Sequence, residues 1–274
     1  MGIVNVTPDS FSDGGRYLDA DDAVAHGLLL RSRGADILDV GGESTRPGAQ
    51  RVDPAVEQNR VVPVVEALAA SGAVVSVDTM NASTALAAVA AGAEYVNDVS
   101  GGLADAEMLE SVASTDAQIV LGHWRGPSSE MYAHAEYDDV VTEVIAELQE
   151  RVRAAARAGI PPARVLIDPG FGFGKRGQQN WALLRGLRRI VGVGPRVLIG
   201  TSRKRFLAEA LGSLEEVEVA EDRRDLATAV TSVIAADAGA WGVRVHDVAA
   251  TRDALTIATY GREGGRWTSP TRSP

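Results

Sequence analysis

Short apolar runs recur along the chain, each closed by a polar residue and followed by a longer stretch with helical spacing. They span Gly2 to Val6, Ala35 to Val40, Val74 to Asp78, Tyr95 to Asn97, Gln118 to His123, Val165 to Asp168, Pro195 to Gly200 and Trp241 to Val245. Each has the length and character of a strand buried on both faces in a parallel sheet. Helices are expected over Ala23 to Arg33, Pro54 to Ala70, Ala82 to Ala91, Asp105 to Ser114, Tyr137 to Ala158, Trp181 to Val191, Lys204 to Leu211, Arg224 to Ala238 and Ala249 to Tyr260. Acids between Asp19 and Asp22 suit the start of the first helix, and Gly34 ends it. Pro63 is expected to bend or divide the second. Strands alternating with helices at a spacing of about thirty residues predict the α/β class and a single (β/α)8 TIM barrel. A doubly wound sheet is the rival, but no Gly-x-Gly-x-x-Gly follows the first strand. The barrel is expected to occupy residues 1–261, with 262–274 a polar, flexible tail.

Composition narrows the function. A formal charge of -10 argues against general affinity for nucleic acid or an anionic membrane, so an anionic ligand needs a local cluster of Arg and Lys. The chain has no cysteine, which removes disulfides, thiolate zinc sites and cysteine nucleophiles together. Apolar runs stop well short of membrane-spanning length, and no basic, apolar leader precedes the first strand. A cytoplasmic protein is expected.

In a barrel, chemistry collects where strands meet the following loops. The expected strand ends are Asn5, Asp39, Asp78, Asn97, His123, Asp168, Ser202 and His246, all polar and each within or just beyond an apolar run. Capping of the following helices accounts for some of them; polar groups at the edge of a dry pocket account for more. Asp78, Asn97 and Asp168 come from three strands and should converge, offering acceptors and donors to a polar heterocycle with an amino group and a lactam edge. In Gly242-Val243-Arg244-Val245-His246, period two puts Arg244 and His246 on one face. They form either a grip for phosphate oxygens or a structural ion pair with a neighbouring strand's acid. Ser202-Arg203-Lys204-Arg205 opens a helix and is expected to make an anion site from free N–H groups and three cations.

The segment Asp168-Pro169-Gly170-Phe171-Gly172-Phe173-Gly174-Lys175 is expected to offer its rings and ammonium group to a flat, anionic ligand. Gly41 to Gly48 has too few apolar side chains for a packed connection and is expected to be a mobile cover over substrate. Asn5 could offer its amide oxygen to a hard metal such as Mg2+ shared with a phosphate group.

Taken together, these segments resemble the motifs of one family, the dihydropteroate synthases. The resemblance rests on Ile3 to Gly15, Asp39 to Gly48, Asp168 to Lys175, Ser202-Arg203-Lys204 and Arg244-Val245-His246, which occur in that family's order. It covers nearly the whole chain to about Tyr260. It departs in two places: Met1 lies almost in the first strand, where the family has a few more residues, and Gln179-Asn180 stands where His-Asn is frequent.

The resemblance implies a folate-biosynthesis transferase that joins para-aminobenzoate to hydroxymethyl-dihydropterin pyrophosphate, is inhibited by sulfonamides, uses Mg2+ and forms a homodimer. By matching position, Asp78, Asn97, Asp168 and Lys204 would hold the pterin. Arg244, His246 and Asn5, with the metal, would hold the pyrophosphate. Phe11, Thr45, Arg46, Pro47, Phe173 and Ser202, with Lys204, would frame the para-aminobenzoate and sulfonamide site. Asp78, Lys204, Arg244 and His246 would carry the chemistry, through a cation-like pterin intermediate. The alternatives are a pterin-dependent methyltransferase of the same barrel type and a non-catalytic pterin-binding paralogue.

Overall fold

A computed structural model of the chain describes residues 1–7, 16–44, 48–127, 130, 132–133, 135–212 and 219–263. Eight parallel strands follow one another around a barrel in sequence order. They are β1 (Gly2–Asn5), β2 (Ile37–Gly41), β3 (Val74–Asp78), β4 (Tyr95–Asp98), β5 (Gln118–Gly122), β6 (Val165–Asp168), β7 (Arg196–Ile199) and β8 (Gly242–Val243). The last strand is shorter than expected, and the seam closes through backbone bonds beyond it. Ile3 N donates to Val245 O at 3.0 Å, and Val245 N donates to Met1 O at 3.0 Å.

The helices are α1 (Arg16–Ser32), α2 (Pro54–Ala70), α3 (Ala82–Ala90), α4 (Met108–Ala113), α5 (Val140–Arg157), α6 (Gly177–Arg185), α7 (Leu187–Val191), α8 (Arg205–Leu211), α9 (Glu221–Asp237) and α10 (Val248–Glu263). Several of these differ from the expectation, and of the two outcomes expected at Pro63 the division does not occur. The first helix begins seven residues earlier, at Arg16, and α2 runs undivided through Pro63. The single helix expected over Trp181 to Val191 is instead two, broken at Gly186. A Cβ on Gly186 would fall 2.7 Å from a methyl of Val141, so α5 passes too close there for any side chain. The last helix reaches Glu263, and the tail expected beyond it lies outside the described residues.

Strand periodicity explains why the barrel is dry below and polar above. Ile37, Tyr95, Val120, Leu166 and Leu198 form a buried cluster drawn from five strands and no helix, as the filled interior of a barrel requires. Two residues further along, and so on the same inward face, stand Asp39, Asn97, Gly122, Asp168 and Gly200. Each strand thus carries an apolar residue in the floor and a polar or small one above it. Outside the strands, two larger clusters pack sheet against helices. One centres on β1 to β5 with α1 to α4 and takes in Val165 of β6, Ala155 of α5 and Val248 of α10, and the other gathers β6 and β7 with α5 to α9.

Candidate active site

Above this floor opens a cavity of about 1120 Å³. Its lining includes Asn5, Asp78, Asn97, Asp168, Phe173, Ser202, Lys204, Arg244 and His246, nine of the side chains singled out from the sequence. Phe11, Thr45, Arg46 and Pro47 lie outside the described residues.

On the β2–β4 side, charge dominates. Arg244 reaches across from the end of β8 and donates through Nε to Asp39 Oδ2 at 2.5 Å and through Nη2 to Asp78 Oδ2 at 2.6 Å. Asn97 Nδ2 donates to the same Asp39 oxygen at 3.1 Å. The ion pair that competed with a phosphate grip for Arg244 is therefore formed. A guanidinium has five N–H donors, however, and these two bonds leave others for a ligand.

Asp39 was expected at a strand end, but it sits inside β2, in register with Ile3 and Ser76, and is fully buried. Its Oδ1 has no hydrogen-bond partner among the described residues. Beyond its place among the polar strand ends it carried no assigned role, although an acid on the inward face between Leu38 and Val40 is itself a signal. Burial pushes the Asp78 carboxyl up to about 7, with Asp39 and Glu57 adding to the shift and Arg244 and Lys204 opposing it. Burial works against the charge of Arg244 as well, but Asp39 and Asp78 outweigh it and hold its pKa above the ordinary value.

Ser202 and His246 join the two sides. Ser202 Oγ accepts the backbone N–H of His246 at 3.1 Å and lies 2.9 Å from His246 Nδ1. A hydroxyl that accepts from the backbone can give its proton to Nδ1, which makes Nε2 the protonated nitrogen.

On the β6–β7 side, a ring and a loop take over. The Lys204 ammonium lies over the Phe173 ring, 4.0 Å from its centre. Burial pulls Lys204 down to about 8; Arg244 deepens the shift, while Asp168 and Asp78 resist it. Asp168 Oδ1 accepts Gly170 N at 2.7 Å, and burial raises its pKa against that bond and the nearby cations. Asn180 holds the same loop, accepting Gly172 N at 2.7 Å and donating to Lys175 O at 3.0 Å.

Two expectations are corrected on this side. The glycine loop offers one ring to the cavity, because Phe171 is fully buried and stacks on Phe206 at 6.1 Å. Its lysine is not offered to a ligand either. Lys175 is buried, and its ammonium lies against His123 and two carbonyls of its own loop. The three-cation anion site also fails to form. Arg203, at φ 55°, turns its guanidinium to Asp225 and Glu221, and Arg205 pairs with Glu209. That leaves Lys204 as the cation of this segment that faces Phe173.

Comparison with known proteins gives this arrangement a family. The family described as pterin binding enzyme matches residues 1–246. Dihydropteroate synthase of Mycobacterium leprae is 55% identical over 258 residues, covering 94% of this chain and 91% of that protein. The Xanthomonas albilineans dihydropteroate synthase structure with 4-aminobenzoic acid superposes with a TM-score of 0.87 at 47% identity, covering 96% of this chain and 92% of that one. The same bacterium's enzyme in complex with 7,8-dihydropteroate gives 0.82 at 42% identity, with the same coverage. The chain belongs to the pterin-binding enzymes and, within them, to the dihydropteroate synthases. It is a transferase of folate biosynthesis.

Proposed function

We propose that this cavity condenses para-aminobenzoate with hydroxymethyl-dihydropterin pyrophosphate, releasing dihydropteroate and pyrophosphate. The observation that carries the assignment is the convergence of Asp78, Asn97 and Asp168, from three strands, beside Lys204 and Phe173 in one cavity. The carboxylates and amide match the amino and lactam edges of a pterin. Lys204 sits where it can donate to the same ring, and Phe173, with Ser202, borders a slot for the flat amine. The remaining N–H groups of Arg244 and the Nε2 side of His246 receive the pyrophosphate.

In the reaction the methylene carbon–oxygen bond breaks and its electron pair leaves with pyrophosphate. The amine nitrogen then bonds to that carbon and loses a proton. No nucleophilic side chain is required. The electron-rich pterin spreads the positive charge, so bond breaking runs ahead of bond making, and the Asp78 carboxylate stabilises the cation. Arg244 and His246 stabilise the charge building on the leaving group.

Among the described residues no group of three or more His, Asp or Glu could hold a metal ion. Asn5 nevertheless fits Mg2+ bound mainly by substrate oxygens and water, because such an ion needs only one or two protein oxygens. When bound, Mg2+ would neutralise part of the pyrophosphate charge.

Sulfonamides, which copy the flat amine and its acid group, are expected to compete for the slot framed by Phe173 and Ser202. Residues 1–261 form the catalytic barrel in this proposal. A homodimer is also part of it, supported by Leu226, Val230 and Ile234, an exposed apolar row at four-residue spacing on α9. Val230→Glu should convert a dimer to monomer in sedimentation equilibrium; an unchanged mass would place the interface elsewhere. A cytoplasmic setting is tested by cell fractionation, and no described helix is long and apolar enough to cross a membrane.

Incubation of purified protein with both substrates and Mg2+ decides the main assignment. Pyrophosphate and dihydropteroate should appear in equal amounts. A methyltransferase or a non-catalytic pterin binder would release neither.

A further inference from the structure

One buried charge has no part in the chemistry above. Lys175, at the end of the glycine loop, is 1% exposed. Its three N–H donors meet three acceptors: Gly170 O at 3.0 Å, Phe173 O at 2.8 Å and His123 Nδ1 at 2.8 Å. An ammonium group has no lone pair, so His123 must accept at Nδ1 and carry its own proton on Nε2. That nitrogen lies 2.9 Å from Glu147 Oε2 on α5, a close polar contact whose angle falls short of a hydrogen bond. Glu147 is held by Arg125, which also binds Glu143 and lies 3.8 Å from the centre of the Tyr137 ring. The Tyr137 hydroxyl returns to the loop, donating to Gly174 O at 3.0 Å. A closed circuit thus starts and ends on the loop that carries Phe173.

The circuit matters most at Phe173. Gly170 N is anchored by Asp168, Gly172 N by Asn180, and Phe171 by its burial in the core. The Phe173 carbonyl has Lys175 as its hydrogen-bond donor, and the two contacts fix the peptide that aims the ring at Lys204. The turn has no slack behind it either. A Cβ on Gly170, at φ 68°, would fall 2.3 Å from His123 O.

We propose that Lys175, backed by His123 and Glu147, is a positioning residue that fixes the Gly170–Phe173 turn and so sets the affinity for the aromatic amine. This rests on the role given above to Phe173 in framing the amine site.

The positioning depends on the charge. A neutral lysine could keep both carbonyl bonds, but it would turn a lone pair toward His123. His123 would then have to move its proton to Nδ1, leaving the Nε2 lone pair against the Glu147 carboxylate. Burial lowers Lys175 to about 7, with Asp168 and Glu147 raising it and Arg125 and Lys204 lowering it further. His123, also facing it, is driven down to about 4 by burial and by Lys175 and stays neutral. Amine affinity should therefore be full below neutrality and fall as pH rises through it.

Michaelis constants for both substrates, measured from pH 6 to 9 with melting curves alongside, test this. Lys175→Met should raise the constant for para-aminobenzoate about tenfold or more, the effect of a small misplacement, while the pterin constant stays within about twofold. Glu147→Gln removes one of the two carboxylates, Asp168 being the other, that help to keep Lys175 charged, from a side chain that is 41% exposed, so the fold should be spared. It should move the alkaline rise of the para-aminobenzoate constant down by about half a pH unit or more. A folded Lys175→Met with a normal amine constant, or with both constants raised equally, would overturn the proposal. Should Lys175→Met not fold, Glu147→Gln decides alone, and an unshifted profile overturns it.

Phe173→Ala separates the layers. If it raises the amine constant while Lys175→Met does not, only the part given to Lys175 fails. If Phe173→Ala leaves that constant unchanged, the assignment of the amine site fails, and this inference with it.

Discussion

On the β2–β4 side the cavity wall consists of charged side chains carried by strands, whereas on the β6–β7 side Asp168 and Lys204 flank a ring and a backbone carried by a loop. The first wall holds Arg244 within hydrogen-bond distance of both Asp39 and Asp78. Buried charges of that kind are costly when unpaired, so they need the rigid aim that strands provide. The second wall presents Phe173, and the buried cation behind it is satisfied by neutral acceptors, two carbonyls and an imidazole nitrogen. The contribution of that loop is shape rather than field. The contrast matches the two partners of the condensation: one becomes charged as its bond breaks, and the other is a flat amine that must arrive in line.

If that division holds, damage to the charged wall should appear in turnover. Asp78→Asn is expected to lower kcat by about a hundredfold or more, roughly 2.7 kcal/mol of barrier, with pyrophosphate affinity nearly intact. Near-normal turnover in a steady-state assay would remove Asp78 from the mechanism. The raised pKa adds a second readout. Because Asp78 must be ionised to face a cation, wild-type kcat should rise as pH climbs through about 7, and Asp78→Asn should lack that limb. The same shift makes Asp78 stabilise the fold most below its unfolded value, a contribution lost as pH rises through 7. The Asn variant should therefore melt with a flatter dependence on pH between about 4 and 7.

Damage to the second wall should appear in affinity instead. Phe173→Ala is expected to raise the para-aminobenzoate constant about tenfold while kcat at saturation falls less than about threefold. A fall in kcat as deep as that of Asp78→Asn would erase the distinction between the walls. The smallest effect is expected from Pro47→Ser, in the segment from Gly41 to Gly48. It should raise the sulfonamide inhibition constant about threefold more than the para-aminobenzoate constant, because inhibitor and substrate touch such a segment through different atoms. Equal shifts in both, or a shift mainly in the pterin constant, would give this loop another task.

Much of the charged wall was legible in the chain. Asp78, Asn97 and Asp168 each close an apolar run, and period two already put Arg244 and His246 on one face. The second wall was legible only in part. The same glycine loop shows two phenylalanines and a lysine with no local difference between them, yet Phe171 enters the core, Phe173 faces the cavity and Lys175 turns beneath its own loop. Likewise, the basic run Arg203-Lys204-Arg205 gives no hint that acids on α9 and α8 take its two arginines.

What the sequence determined by itself was what repeats locally: strand and helix periods, the barrel they imply, and the polar residue at the end of each apolar run. These follow from backbone geometry that each segment carries with it. The tertiary structure decided which polar groups face one another. Asp39 becomes a partner of Arg244 across 205 residues, and Lys175 meets His123 across 52. Such pairings depend on closing the barrel and packing α5 against it, because burial makes an unmet charge costly only once water is gone.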